Sequence, residues 1–187
     1  FSVPSNSIFG SVPSSLFQLQ KLQDVKFQGN SLSGEISPQS IGSASILYFN
    51  ASDNQLSGSL SFVCKLENLI VLNLRRNKFT GSLSSDISKL TKLSLLEIGY
   101  NEIGGTLPPD VSSLTALIVL AMESNRFEGS VHTLSKLSKL NILRLDSNKF
   151  TGSLDNLLSE MHELQVLDLG SNLFTGTIPS AVFYLND

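Results

Sequence analysis

The 187-residue chain has one cysteine, no tryptophan, two methionines and two histidines. A single cysteine excludes an internal disulfide framework and any multi-cysteine metal site. Charge is sparse and nearly balanced, with 13 Lys and Arg against 16 Asp and Glu. That leaves no basic footprint for nucleic acid. A hydrophobic share of 41% is too high for a disordered chain, yet no apolar run approaches the ~20 residues of a membrane-spanning helix. Phosphate-binding glycine loops, nucleophile elbows and zinc spacings are also missing. His132 and His162 fall at different phases of the pattern described below and have no partners at ligand or catalytic spacing, so they read as surface side chains. The sequence thus predicts no enzyme, no cofactor and no metal.

Two residue types are in excess: 33 Leu and 32 Ser make up over a third of the chain, a bias that calls for a search for repeats. Asn recurs at Asn6, Asn30, Asn54, Asn77, Asn101, Asn125, Asn148 and Asn172, always 23 or 24 residues apart. Four residues after each Asn comes Gly, from Gly10 to Gly176. Two after it is an apolar residue, such as Leu56 or Phe127. Three and five before it are two more, such as Leu74 and Leu72. Eight before it is another, from Leu22 to Leu164.

The apolar-x-apolar step has period two and places those side chains on one face of a short strand. The Asn then falls at the bend, where its amide can satisfy backbone groups that the turn leaves unpaired. The Gly permits positive φ or close contact between coils. A single coil buries too little to offset the entropy of ordering it, so coils must stack and share their core. Cys64 replaces the Leu, Ile or Val of other coils (Leu16, Ile87, Val111) and reads as a small buried hydrophobe.

The pattern resembles the leucine-rich repeat, L-x-x-L-x-L-x-x-N-x-L. Ile8-Phe9-Gly10-Ser11-Val12-Pro13, Ile103-Gly104-Gly105-Thr106-Leu107-Pro108 and Phe174-Thr175-Gly176-Thr177-Ile178-Pro179 are similar to the L-[ST]-G-x-[IL]-P half of its plant-specific, largely extracellular subclass. The resemblance implies an α/β solenoid, a right-handed superhelix of about eight repeats with a concave parallel β-sheet and an irregular or 3-10 convex side. The Pro is replaced by Ser37, Ser61, Ser84, His132 and Asp155, so the convex side is expected to be less uniform than the consensus. Family members usually carry cysteine-bearing caps. Without them, and with Tyr184–Asp187 ending in a convex segment, residues 1–187 read as a single domain that is an uncapped excerpt of a longer array.

By resemblance the function is that of a non-catalytic, ligand-binding segment of a plant receptor-like kinase or receptor-like protein ectodomain, at the outer side of the plasma membrane or in the apoplast. The implied partners are a peptide or protein ligand and a co-receptor leucine-rich-repeat protein, with the membrane reached only through another segment. The alternative is a secreted inhibitor of cell-wall hydrolases or an adhesion module.

With Leu and Asn turned inward, the positions between them face outward on the concave side. The column six before the Asn (Asp24, Tyr48, Val71, Leu95, Val119, Ile142, Val166) is expected to pack beside the strand's edge. The column four before reads Ser2, Lys26, Asn50, Asn73, Glu97, Ala121, Arg144, Asp168. The column two before reads Pro4, Gln28, Ser52, Arg75, Gly99, Glu123, Asp146, Gly170. Arg76 and Tyr100 immediately precede their Asn. The ligand-binding candidates are therefore Asn73, Arg75, Arg76, Glu97, Gly99, Tyr100, Glu123, Arg144, Asp146 and Asp168. Arg75 and Glu123 are expected to stand apart, ~10 Å across Gly99, and to fix the two ends of a ligand. The plainer reading is a solvated face in which Arg144 pairs with Asp168 or Asp146. Asn50-Ala51-Ser52 is an N-glycosylation sequon, and a glycan on Asn50 would block the N-terminal third of the face.

Overall fold

The computed structural model describes residues 1–42, 45–155, 157, 158 and 160–180; the segment Tyr184–Asp187 lies outside them. Coils stack along one axis. Seven three-residue strands form one parallel sheet in chain order: Asp24–Lys26, Tyr48–Asn50, Val71–Asn73, Leu95–Glu97, Val119–Ala121, Ile142–Arg144 and Val166–Asp168. A bridge between Ser2 and Lys26 extends it to the first coil. Register is strict, as in Val71↔Leu95, Leu72↔Leu96 and Asn73↔Glu97. Each column of the repeat is therefore a physical row across the sheet.

Each Asn after the first ties its own bend to the preceding coil. Asn77 Nδ2 donates to Leu74 O at 3.1 Å in its own coil and to Ala51 O at 2.9 Å in the coil before. Its Oδ1 accepts from Leu56 N at 2.9 Å. The same three bonds recur at Asn125, to Met122 O, Ile98 O and Ile103 N, and at Asn148, to Leu145 O, Met122 O and Phe127 N. Asn6 bonds only to Val3 O and Pro4 O in its own coil. The amide thus satisfies carbonyls and an N–H that would otherwise be buried without partners.

Every coil carries two left-handed residues. One precedes the Asn: Ser5, Gly29, Asp53, Arg76, Tyr100, Ser124, Ser147 and Ser171, with φ between 52 and 68°. The other is the repeated Gly, with φ of 75–92°. Between them the chain reverses away from the concave sheet into a second set of short strands, which the sequence did not single out. These form two four-stranded parallel sheets, from Phe9–Gly10 to Lys78–Thr80 and from Gly104–Thr106 to Leu173–Phe174. Backbone bonds bridge the gap between the sheets, Glu102 N to Phe79 O and Gly104 N to Gly81 O, both 2.8 Å.

The convex side is built of 3-10 turns, such as Ser85–Lys89 and Pro109–Ser113. Where Ser84 replaces Pro, its hydroxyl caps the turn by accepting from Asp86 N at 3.2 Å. The turn starts eight residues after the Asn in four coils. In the two 23-residue coils it starts earlier, at Leu60 after Asn54 and at His132 after Asn125. The missing residue is thus absorbed on the convex side, and the concave register is untouched.

One continuous core runs through all coils, with Leu72, Leu74, Leu96, Leu120 and Leu143 at 2% exposure or less. Phenylalanines stack along it, Phe127 on Phe150 with ring centres 6.0 Å apart and Phe150 on Phe174 at 6.4 Å. The outer face of the first coil carries an apolar groove of about 390 Å³ lined by Phe1, Ile8, Phe9, Leu16 and Leu19. Cys64 is buried in the Leu60–Lys65 turn. Burial, and then the charge of Asp86, raise its thiol to about 11.

Asn77→Ala removes an amide serving two buried carbonyls and one buried N–H, and is expected to cost ~2–4 kcal/mol in urea unfolding. Asn6→Ala should cost ~1 kcal/mol or less, because no coil-to-coil bond is lost. Equal costs would contradict the ladder's role. The Cys64 thiol ionises in the unfolded chain near its ordinary 9.0 but not in the folded one until about 11. Stability should therefore fall as pH rises from 9 to 11. Cys64→Ala should remove that component in paired thermal melts.

Candidate functional site

The concave sheet has no free edge along its length, because each inner strand is bonded on both sides. A molecule on this face is read by side chains alone, across eight coils spanning about 35 Å. Three rows are displayed. In the row six before the Asn, Val71, Leu95, Val119 and Ile142 are half-buried, whereas Tyr48 and Val166 are exposed at 42% and 36%. This row was expected to pack against the strand edge. The four central residues keep the partly covered position expected of them, and with the exposed Tyr48 and Val166 they line up as a half-exposed apolar stripe.

Beside the stripe lies a network centred on Tyr100. Arg75 Nε donates to Glu123 Oε1 at 3.1 Å. The Arg75 and Arg76 guanidinium carbons lie 4.5 and 5.2 Å from the centre of the Tyr100 ring. Arg76 also approaches Asp53, with Nη1 3.6 Å from Oδ1. Asn73 Oδ1 accepts from Arg75 N at 3.0 Å, and its Nδ2 donates to Glu97 Oε2. Burial alone would lower the Arg75 guanidinium, but the hydrogen bond and charge of Glu123, with Tyr100, raise it above its ordinary value.

Two sequence expectations change here. Arg75 and Glu123 do not stand apart: they meet over Gly99, and Glu123 is 4% exposed. The ~10 Å estimate counted strand spacings and left out the reach of two long side chains over a residue that has none. Nor does Arg144 pair with Asp146 or Asp168; among the described residues it has no carboxylate partner, and it is exposed. Asp168 Oδ1 instead accepts from Gly170 N at 3.1 Å. The Asp146 carboxyl is raised above its ordinary value, first by burial, then by the charges of Asp168 and Glu123, against a lowering bond from Ser147. Ala121 is buried at 2% and forms the second low spot in the floor.

Asn50 is half-buried on the same face, with its Oδ1 accepting from Ser52 N at 3.1 Å. His132 and His162 are exposed. No group of three or more His, Cys, Asp or Glu among the described residues could hold a metal ion. No helix among them is long and apolar enough to cross a membrane.

The strain at Arg76 and Tyr100 was missed. Six coils put Ser, Asp or Gly in the left-handed position before the Asn; only here do large side chains take it, at φ 54 and 55°, a conformation costing ~1–3 kcal/mol each. The signal was present in Gly29 and in the small polar residues at the other equivalent positions.

Taken together, the geometry defines a stacked-coil repeat protein that displays variable side chains on a rigid concave sheet. A model of the leucine-rich repeat region matches residues 37–178, and the chain belongs to the leucine-rich repeat family. No curated protein sequence gives a significant match. Among solved structures it is similar to the plant peptide hormone receptor RGFR1 in complex with RGF2, with a TM-score of 0.91 and 32% identity, covering 96% of this chain and 29% of that one. It is also similar to the Arabidopsis receptor kinase HAESA in complex with the peptide hormone IDA and the co-receptor SERK1, with 0.73 and 25%, covering 99% and 36%. A plant ice-binding protein superposes at 0.85 with 23% identity, covering 98% and 61%, a likeness of fold alone. The chain spans about a third of each receptor structure.

Because Asp146 holds its proton more tightly in the folded chain than in the unfolded one, its contribution is favourable at low pH and is lost as pH rises through the folded value. Asp146→Asn is therefore expected to raise Tm at pH 7, and the gain should shrink to nothing as pH falls below the ordinary carboxyl range. A gain that persists in acid would place the effect elsewhere.

Proposed function

We propose that this chain is a non-catalytic, ligand-binding segment of a plant cell-surface receptor ectodomain, facing the extracellular side. It takes an extended peptide along its concave face between Arg75 and Asp168. The observation that carries this reading is the pairing of rows: a half-exposed apolar stripe from Val71 to Ile142 runs beside charged and hydrogen-bonding positions in strict register. An extended peptide offers that alternation, with apolar side chains for the stripe and polar groups for Arg144, Asp146 and Asp168. Ala121, with its short side chain, leaves room for its backbone. The receptor structures to which the chain is similar are complexes with peptide hormones, in one case together with a co-receptor. A co-receptor would meet the rim of the loaded face. A glycan on Asn50 would confine the peptide to the C-terminal two thirds.

An ice surface demands a flat, regular array of like groups. The concave rows contain no Thr and alternate Lys, Glu, Arg, Gly and Asp, which favours a ligand of defined sequence.

The test is selection of binders from a displayed library of linear peptides, followed by calorimetry. Val119→Arg and Arg144→Ala should each weaken the selected peptide by about tenfold or more, ~1.4 kcal/mol, while the convex Lys136→Ala leaves it unchanged. Concave variants that all stay within about twofold would overturn the assignment. Loss of binding only to folded cell-wall hydrolases would favour an inhibitor.

A further inference from the structure

Arg75, Gly99 and Glu123 occupy the same repeat position in three successive coils, and the bridge between the outer two depends on the middle one. A Cβ at Gly99 would lie 2.5 Å from Glu123 Cδ and 2.7 Å from each of its carboxylate oxygens. Gly99 is not among the positive-φ residues, so its backbone does not call for glycine. What the position supplies is space, and the Glu123 carboxylate fills it.

The bridge is closed but unevenly satisfied. One hydrogen bond joins Nε to Oε1, while Glu123 Oε2 is buried with no donor. A free acid can meet a guanidinium with two parallel N–H···O bonds, the stronger arrangement. Arg76 sits on the same Tyr100 ring, and its one carboxylate partner among the described residues is Asp53, at a long 3.6 Å. Two cations therefore lie over one aromatic ring, one of them with only a long contact to its counter-ion. In the next coil Asp146 places a like charge beside Glu123.

We propose that Glu123 is a built-in stand-in for an acidic group of the ligand, so that the Arg75–Glu123 bridge is a latch masking an anion site made by Arg75, Arg76 and Tyr100. A carboxylate or sulfate of the incoming ligand takes two parallel N–H donors of Arg75, and Glu123 swings off Gly99. That the anion is carried by a peptide rests on the reading above; the latch itself does not. The latch also sets specificity. A ligand without an acidic group must leave it shut, and one with such a group binds with its affinity reduced by the fraction of molecules in which the latch is closed.

Gly99→Ala opens the latch without altering any charge, because the methyl displaces only the flexible end of Glu123. The probe is inorganic sulfate, followed at the Arg75 Nε–H signal by NMR on the 187-residue chain. In the native chain that signal should sit at a bonded position and barely respond to sulfate. In Gly99→Ala it should move to the free-arginine position and titrate with an apparent Kd about fivefold or more lower. Glu123→Gln should also tighten sulfate, and Gly99→Ala with Arg75→Ala should not bind it. The idea is overturned if the Arg75 signal in Gly99→Ala stays at its native position. Equal sulfate affinity in the native chain, Gly99→Ala and Glu123→Gln overturns it too. Should Gly99→Ala fail to fold by circular dichroism, Glu123→Gln alone decides. No peptide is read in this experiment, so a failed peptide selection leaves its outcome intact.

Discussion

A side-chain amide at each bend, bonded forward to its own coil and back to the one before, is the interaction on which the rest of this molecule depends. Bends are where a parallel array would otherwise bury unpaired peptide groups, and Asn offers donors and an acceptor on one short arm. At Asn148, with 9% exposure, the demand is complete: its amide reaches two carbonyls and one N–H in two coils. Because the bond runs from coil to coil, it fixes the spacing and phase of every strand in the concave sheet. Length variation is pushed to the other side, where the 3-10 turns after Asn54 and Asn125 start early.

That division of labour is what makes a recognition surface possible. The inward set cannot change without opening the core, whereas the outward rows are free to vary because nothing packs above them. The array spends its freedom unevenly. Around Tyr100 the chain accepts large side chains in a strained left-handed conformation, stacks two guanidinium groups on one ring and buries a carboxylate in the space left by a missing Cβ. Towards Arg144, Asp146 and Asp168 the same rows are open and mutually unpaired. A ligand lying along the sheet therefore meets a preorganised, closed patch at one end and uncompensated charges at the other.

Much of this was legible in the sequence, and the reasons differ by layer. The strand, the Asn and the Gly repeat with fixed spacing, so chance cannot produce them eight times, and the core follows from the period-two Leu positions. The second sheet was not legible: segments such as Lys78–Thr80 or Gly104–Thr106 are only three residues long and lack an apolar alternation, and read as loop until the neighbouring coil supplies their hydrogen bonds. The left-handed residue before each Asn was concealed because Arg76 and Tyr100 break the small-residue rule at the coils of greatest interest. The Arg75–Glu123 bridge was lost for a metric reason. Column positions give backbone separations, and contact over Gly99 is decided by side-chain reach and by an empty volume that only coordinates reveal.

The amide exchange of Phe79 tests the central claim most directly. Its N–H donates to Asn101 Oδ1 at 3.0 Å, so it is protected by the next coil's corner and not by its own. In Asn101→Ala, hydrogen exchange followed by NMR should show Phe79 losing protection, while Leu56, which donates to Asn77 Oδ1, keeps its own. Unchanged protection at Phe79, or uniform loss at every coil, would contradict an account in which each corner amide holds the coil that precedes it.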